Sequence, residues 1–346
     1  MLSGTSSTQF WDPEKDPLIC IDKTIETADT VSFLFSSQHQ AQFQFHAGQF
    51  ISLQVNIEEK TLYRAYSISS VPNQDTLRLT IKRVSGGIVS NWLIDNLKVN
   101  DNINALAPAG DFHLQANSAQ EKVLLISAGC GITPVMSMAL SLLQDNSQAD
   151  INFIHCAKDS DNIIYASTLA ELEEKHPNFQ LHYVLKHQQD ETYFKARCLD
   201  EAYFKELCPD YQTRHVFLCG PSTFMDFISD TLRKNQFDMS RFKQELFTPI
   251  CDTQAPPTIQ EEVTIDIPAF SKSTQVSVGS NLLEALEEEG IPIIGACRSG
   301  VCGSCKCKVK GKVRTTSRQP LTPQEIEDGY YLACSTFVEG DVEVNL

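Results

Sequence analysis

The chain has 346 residues, 42% hydrophobic and 21% charged, a balance that suits about two or three folded domains and excludes collagen-like, fibrous and broadly disordered classes. Asp plus Glu number 44 against 28 for Lys plus Arg, and the net charge of −16 disfavours nucleic acid as a partner because it repels a phosphate backbone. The longest apolar runs, such as Val123–Ala128, fall far short of the ~20 residues of a membrane span, and Met1–Phe10 carries no basic region and no apolar run, so a cytoplasmic protein without membrane association is expected.

The Ser/Thr-rich start reads as a flexible tail over 1–16. From 17 to 117, short alternating segments follow one another: Val31–Phe35, Gln49–Val55, Ala65–Ile68 and Thr76–Ile81, with turns at Ala47-Gly48 and Pro72-Asn73. Such spacing predicts an antiparallel β-barrel. Within it, Arg64-Ala65-Tyr66-Ser67 follows a strand, and Ser85-Gly86-Gly87-Ile88-Val89-Ser90 opens a helix that runs through Trp92. Arg64 offers a planar cation to a phosphate, Tyr66 an aromatic face, and the backbone N–H groups of Gly86 to Ser90 an anion cradle. Lys82 and Arg83 add positive charge nearby. Taken alone, Arg-x-Tyr-Ser is equally a plain surface strand.

From 118 to 248 the pattern changes. Val123–Ala128, Ile151–Cys156, Leu181–Leu185 and Val216–Leu218 are buried-strand runs, and helical periodicity fills Pro134–Leu143, Tyr165–Lys175 and Ser222–Lys234. Alternating strands and helices predict an α/β domain with a parallel sheet. Strand Val123–Ala128 runs into Gly129-Cys130-Gly131-Ile132-Thr133-Pro134 and then a helix, an arrangement whose free N–H groups and dipole suit a pyrophosphate or an amide. Thr133 is expected to cap that helix, with Pro134 at its first position, and Gly129 and Gly131 let the backbone approach a flat ring. This is not the G-x-G-x-x-G fingerprint, and an ordinary tight βα turn has the same look. A second strand–turn–helix follows at Phe217-Leu-Cys-Gly-Pro221 with Phe224-Met225.

Pro249, Pro256 and Pro257 mark a linker over 249–261. The last domain, 262–346, opens with a hairpin of Val263–Ile267 and Gln275–Val278. A helix over Asn281–Glu289 follows, with Asn281 and Glu284 spaced as a capping box and Gly290 past its end. Five of the twelve cysteines crowd into this stretch. Cys297-x4-Cys302-x2-Cys305, then 28 residues, then Cys334 is the plant-type [2Fe–2S] spacing. Three thiolates on one tight loop and one from elsewhere can enclose two irons, and Gly295, Ala296, Gly300, Gly303 and Ser304 let backbone N–H groups reach sulfur. A structural zinc site is the rival, although zinc knuckles come as two Cys-x2-Cys pairs and only one is present; four free buried thiols are the other. Cys307 alternates with Lys306 and Lys308 as in a strand and reads as a core thiol. The eight histidines show no ligand spacing.

The last segment, with Ala-Cys-Arg-Ser-Gly-Val-Cys-Gly-Ser-Cys and Leu-Ala-Cys-Ser, resembles a plant-type, β-grasp-like ferredoxin domain. Arg-x-Tyr-Ser, the Gly129–Pro134 turn and Cys-Gly-Pro together resemble the ferredoxin-reductase superfamily. That resemblance implies three cofactors in order: NADH (NADPH remaining possible), FAD and a [2Fe–2S] cluster. It places Arg64, Tyr66, Ser67, Gly87, Ile88, Val89 and Ser90 on the flavin, with Ser67 near its N5, and Gly129, Gly131, Thr133, Gly220 and Pro221 on the nicotinamide nucleotide. Cys219 and Glu245 would lie at the reacting rings, with Phe247 beside them. Asp159 and Asp161 would repel a 2′-phosphate and favour NADH, which Lys158 blurs. The layout is similar to two groups, the reductase of the hybrid-cluster protein and the reductases of Rieske-type oxygenases that demethylate quaternary amines. The implied function is an NADH-dependent reductase, a monomer, that delivers electrons at its ferredoxin face to an acceptor protein, hybrid-cluster protein being preferred. A zinc-stabilised flavin redox sensor is the reading of another class.

Overall fold

The computed structural model describes residues 9–58, 60–115, 121–186, 199–247 and 262–346. Its two compact units are Met1–Leu53 with Tyr66–Leu246, and Gln54–Ala65 with Phe247–Leu346. The linker expected over 249–261 lies outside the described residues.

The first unit begins with β1 (Leu18–Thr27), β2 (Thr30–Ser37), β3 (Phe50–Ile57), β4 (Lys60–Ser67), β5 (Thr76–Lys82), α1 (Ile88–Asn96) and β6 (Asn102–Ala105), except that the end of β3 and most of β4, within Gln54–Ala65, group with the second unit. The strands form an antiparallel sheet in the order β4-β3-β6-β1-β2-β5. Past the end of β4, Ile68 bridges Leu79 of β5 and Ser69 N donates to Arg78 O at 2.9 Å, which joins the two edge strands and closes a barrel. Alternation fills it: Leu77, Leu79 and Ile81 are fully buried, while Arg78, Thr80 and Lys82 lie on the outer face. The flexible tail expected over 1–16 belongs to the barrel from Gln9 onward. Phe10 bridges Gln42, and Trp11 packs on Phe43 with ring centroids 5.3 Å apart and donates its indole N–H to Asp16 O at 2.7 Å. One large ring with its single donor satisfied is enough to anchor a segment whose composition looks frayed.

The same unit continues with β7 (Val123–Ala128), α2 (Ile132–Asp145), β8 (Ile151–Ala157), α3 (Ala166–Lys175), β9 (Phe179–Leu185), α4 (Glu201–Leu207), β10 (His215–Cys219), α5 (Ser222–Lys234) and β11 (Phe242–Glu245). The sheet is parallel, in the order β11-β10-β7-β8-β9. The chain therefore reverses its direction of travel between β7 and β10, and the crevice outside their carboxyl ends is where open α/β sheets bind ligands. Helix α2 is held over this point by Ile132, Val135, Met136 and Leu142, packed against Val123, Leu125 and Phe153. Each such fully buried side chain stabilises by roughly 1.5–3 kcal/mol.

The second unit carries β12 (Glu262–Ile267), β13 (Lys272–Ser277), α6 (Leu282–Glu288), β14 (Lys306–Thr315), α7 (Pro323–Glu327), β15 (Tyr330–Leu332) and β16 (Thr336–Asn345). The sheet order is β13-β12-β16-β14-β15, with β12 and β16 parallel, and α6 packs on it in a β-grasp-like arrangement. Gly311 has φ +134°, and a Cβ there would come 2.3 Å from Asp341 O. This glycine permits the bulge that curls β14 along β16 from Lys308↔Asn345 to Thr315↔Thr336. Asn281 Oδ1 caps α6 by accepting from Glu284 N at 3.3 Å; both arms of a capping box are made at α7, between Thr322 and Glu325.

Candidate functional site

The two turns at the switch point fit into each other. Gly129 stands at φ +53° with open space where a Cβ would be, so the backbone of the turn leaves the approach to α2 clear. At Gly131 a Cβ would lie 2.2 Å from Cys219 O, and at Gly220 it would lie 3.1 Å from Ala128 Cβ. Only glycine allows the Gly129–Gly131 turn to sit against the Cys219–Gly220 turn. Helix α2 starts at Ile132 with Gly131 as N-cap, no acidic residue in its first turn and no side-chain cap, which leaves its N-terminal N–H groups available to an anion. Thr133 does not cap: it is the second helical residue, and its hydroxyl donates back to Cys130 O at 3.0 Å. Pro134 accordingly stands third in the helix and not first, because the tight turn Gly129–Gly131 runs directly into α2.

Cys219 is fully buried at the end of β10, in register with Ser127 of β7 and with Glu245 of β11. Burial pushes its thiol well above the ordinary value, and the neighbouring Glu245 and Cys130 act in the same direction. It is therefore a neutral, packed thiol and not a nucleophile. Phe247 is 45% exposed.

In the barrel, Arg64 and Tyr66 are alternate residues of β4, and Arg64 Nη1 donates to Tyr63 O at 2.7 Å. Ser67, which ends β4, is buried. Gly86 has φ +70°, and a Cβ on Gly87 would meet Ser90 Oγ at 2.8 Å, so the pair of glycines forms the bend into α1. That helix also lacks a side-chain cap and an acidic first turn, and Val89 and Ser90 are buried in it while Ile88 is exposed. Lys82 is held at 2.6 Å by Asp29, and Arg83 at 2.6 Å by Asp95. These two cations are compensated where they stand.

In the second unit the four thiols come together. Cys297 hydrogen-bonds Cys302 and Cys334, and Cys334 hydrogen-bonds Cys305. Cys302 and Cys334 pull the Cys297 thiol well down, against burial, and the N–H groups of Ser299 and Val301 help. Ser299 N lies 3.4 Å from Cys297 Sγ, Cys334 N 3.5 Å from Cys305 Sγ, and Ser304 Oγ 3.1 Å from Cys302 Sγ. Arg298, Gly300 and Gly303 all have positive φ (55°, 75° and 79°), which winds the loop so that these donors face inward. No three His, Cys, Asp or Glu side chains among the described residues converge as a cage for a single ion. The sulfurs are linked in one run, Cys302–Cys297–Cys334–Cys305, and the donors Ser299 N, Cys334 N and Ser304 Oγ lie against three of them, as suits thiolates that hold an anionic metal centre. Cys307 is fully buried, and burial raises its thiol to about 12, as expected of a core residue.

The sequence pattern marks Tyr165 only as the start of a helix. It is buried, stands at φ 61° immediately before α3, and reaches across to Thr80 of the barrel. A bulky residue in the left-handed region leaves no signature in composition or periodicity.

Three family models match the chain: an oxidoreductase FAD-binding domain over residues 17–114, an oxidoreductase NAD-binding domain over 125–230, and a 2Fe-2S iron-sulfur cluster binding domain over 267–339. Among curated proteins, the glycine betaine monooxygenase reductase subunit of Pseudomonas aeruginosa is 33% identical, covering 98% of this chain and 97% of that protein. The stachydrine N-demethylase reductase subunit of Rhizobium meliloti is 34% identical, covering 94% of each. The NADH oxidoreductase HCR of Escherichia coli is 34% identical, covering 87% of this chain and 88% of that protein. Among solved structures, phthalate dioxygenase reductase shares the fold with a TM-score of 0.66 at 20% identity, covering 97% of this chain and all of that one.

Proposed function

We propose, from the premise that this chain belongs to the iron–sulfur flavoprotein reductases of the ferredoxin-reductase superfamily, that it supplies electrons to the oxygenase component of a system acting on a quaternary amine. It is an NAD(P)H-dependent oxidoreductase with FAD-binding, NAD-binding and [2Fe–2S] domains, and its electrons pass from NADH through FAD and the [2Fe–2S] cluster to an acceptor protein. FAD takes a hydride and gives electrons singly, which neither the nicotinamide nor the cluster can do for the other.

In this reading the residues divide the work. The N-terminus of α1, behind Gly86 and Gly87, holds the flavin pyrophosphate, Tyr66 lies on the flavin ring and Ser67 hydrogen-bonds near N5. The N-terminus of α2 holds the nicotinamide nucleotide, and the packed pair of turns at Gly131 and Cys219 fixes the floor on which the nicotinamide rests. Glu245, in register with Cys219, presents a carboxylate to the same place. Asp159, buried two residues past the end of β8, disfavours a 2′-phosphate and so favours NADH, with Lys158 beside it acting the other way. Cys297, Cys302, Cys305 and Cys334 hold the cluster.

The observation that carries the choice of acceptor is the extent of the match. The quaternary-amine reductase subunits align over 94–98% of this chain, whereas the hybrid-cluster-type NADH oxidoreductase aligns over 87%. The similar identity of the latter, 34%, keeps hybrid-cluster protein as the second reading, although motif resemblance alone ranks it first. The test is NADH oxidation by the purified protein with each candidate acceptor under matched conditions. Faster turnover with an amine-demethylating oxygenase is expected, and faster turnover with hybrid-cluster protein would reverse the assignment.

A further inference from the structure

One connected row of buried polar side chains in the first unit has no part in the site as described. Ser69, Tyr165, Thr80 and Ser32 are between 0% and 4% exposed. Ser69 hydrogen-bonds the Tyr165 hydroxyl, which donates to Thr80 Oγ1 at 2.5 Å. Thr80 Oγ1 lies 2.7 Å from Ser32 Oγ, and Ser32 Oγ donates to Glu26 Oε1 at 2.5 Å. Since Tyr165 gives its proton to Thr80 and Ser32 gives its own to Glu26, the Thr80 hydroxyl is left to donate to Ser32. From Tyr165 to Glu26 the donors then point one way, toward a carboxylate, and the Ser69 hydroxyl is shared between Tyr165 and Arg78 O, 3.2 Å away. Glu26 lines a groove of about 410 Å³ together with Asp22, Ser167, Arg78 and two members of the row itself, Ser32 and Tyr165. At the other end, Ser69 follows Ser67 by two residues of extended chain, on the same side of it.

Tyr165 is kept in this row at a cost. Its backbone is left-handed, and its ring is clamped under the Arg78 guanidinium, 4.6 Å away, which also bonds Ser69 Oγ and Ser69 O. Strain of this kind in a bulky residue persists where its neighbours over-determine it, often at functional sites. Burial raises the phenol to about 12, so it remains a neutral hydroxyl that can accept one proton as it gives up another.

The overall reaction needs such a path. NADH and two one-electron acceptors yield NAD⁺, two reduced acceptors and one proton. The hydride carries that hydrogen into the site, the cluster removes only electrons, and the proton must leave by another way. We propose that Ser69, Tyr165, Thr80, Ser32 and Glu26 are its exit to solvent. Each hydroxyl passes its own proton to the next and takes one from behind, and Glu26 releases the last into the groove, so no charge stays buried. The proposal rests on placing the flavin at Tyr66 and Ser67.

Thr80→Val removes the middle hydroxyl at nearly constant volume, and Glu26→Gln removes the terminal carboxylate without touching the core. The holoprotein is mixed with NADH and ferricyanide in weak buffer, and a pH-indicator dye follows the proton in H₂O and D₂O. FAD content and the unfolding midpoint check the fold. Hydride transfer, read as flavin bleaching by NADH, is expected to be unchanged. Proton appearance should slow by at least about tenfold in both variants with a larger solvent isotope effect, and Thr80→Ser should restore it. Wild-type proton release in Glu26→Gln, or in a folded Thr80→Val, overturns the relay. Wild-type protein that holds no FAD, or whose flavin NADH does not bleach, overturns the flavin placement and the relay with it.

Discussion

His155 lies fully buried at the centre of the parallel sheet, in register with Ser127, whose Oγ is 2.8 Å from its Nδ1. Burial lowers its pKa to about 3 from the ordinary 6.5, so the fold holds it neutral. Below pH 6.5 the unfolded chain binds a proton that the folded chain refuses. The stability from this residue is therefore fully present above 6.5 and is lost as pH falls toward 3. Between pH 7 and pH 5 the loss comes to about 2 kcal/mol, and the partly buried His182 shifts the same way and adds to it. Urea unfolding of wild type and His155→Gln at the two pH values checks this. The variant should lose about 2 kcal/mol less on acidification, and an equal loss in both proteins would show that His155 is not the group responsible. Single residues were unequally legible. The four cysteines proposed to hold the cluster stand out because cluster spacing is a property of one local loop plus one distant position. Cys219 and Glu245 were readable only through resemblance, since what unites them is strand register between β10 and β11. The salt bridges that engage Lys82 and Arg83 depend on Asp29 and Asp95, whose approach no motif announces.

At the scale of elements, the decisive contact is turn against turn. Gly131 has no room for a side chain: the obstacle 2.2 Å away is the carbonyl oxygen of Cys219, which is backbone and cannot rotate aside. Gly131→Ala is thus expected to part the two turns, lower stability by about 1–3 kcal/mol and weaken NADH binding, read by thermal unfolding and by titration of the nucleotide. Gly129→Ala, which would meet open space, should suffer only the strain of its positive φ and leave the turns in contact. If Gly131→Ala bound NADH as wild type does, the switch-point crevice would not be the nucleotide site. Strand and helix legibility followed burial. The residue limits of β7 and α5 match the sequence reading because strict apolar runs and helical period mark them. Strand β1 escaped it because bulges at Cys20/Asp22 and Ile25/Thr27 break its alternation and leave Ile21 and Ile25 exposed. The start of α2 was misplaced because a Thr-Pro pair looks like a cap although tertiary packing had already begun the helix at Ile132.

For the whole molecule, composition set the class and motif order set the chemistry, whereas the grouping of residues into two units was not written in either. Apart from Gln54–Ala65, the barrel and the α/β sheet form one unit, tied by Tyr165 to Thr80 and by Ser137 Oγ to Ser70 O at 2.7 Å. No helix among the described residues is long and apolar enough to cross a membrane. The account stands or falls on electrons passing from NADH through flavin to a cluster held by four thiolates. The most direct measurement is an anaerobic titration with NADH, followed by visible absorption and electron paramagnetic resonance, on wild type and Cys302→Ser, with iron and acid-labile sulfide assayed in both. Wild type should contain iron and sulfide in equal amounts, and NADH should bleach the flavin and raise the paramagnetic signal of a reduced cluster. In Cys302→Ser the flavin should bleach without that signal. Zinc in place of iron, or a flavin that NADH reduces while the cluster stays oxidised, would contradict it.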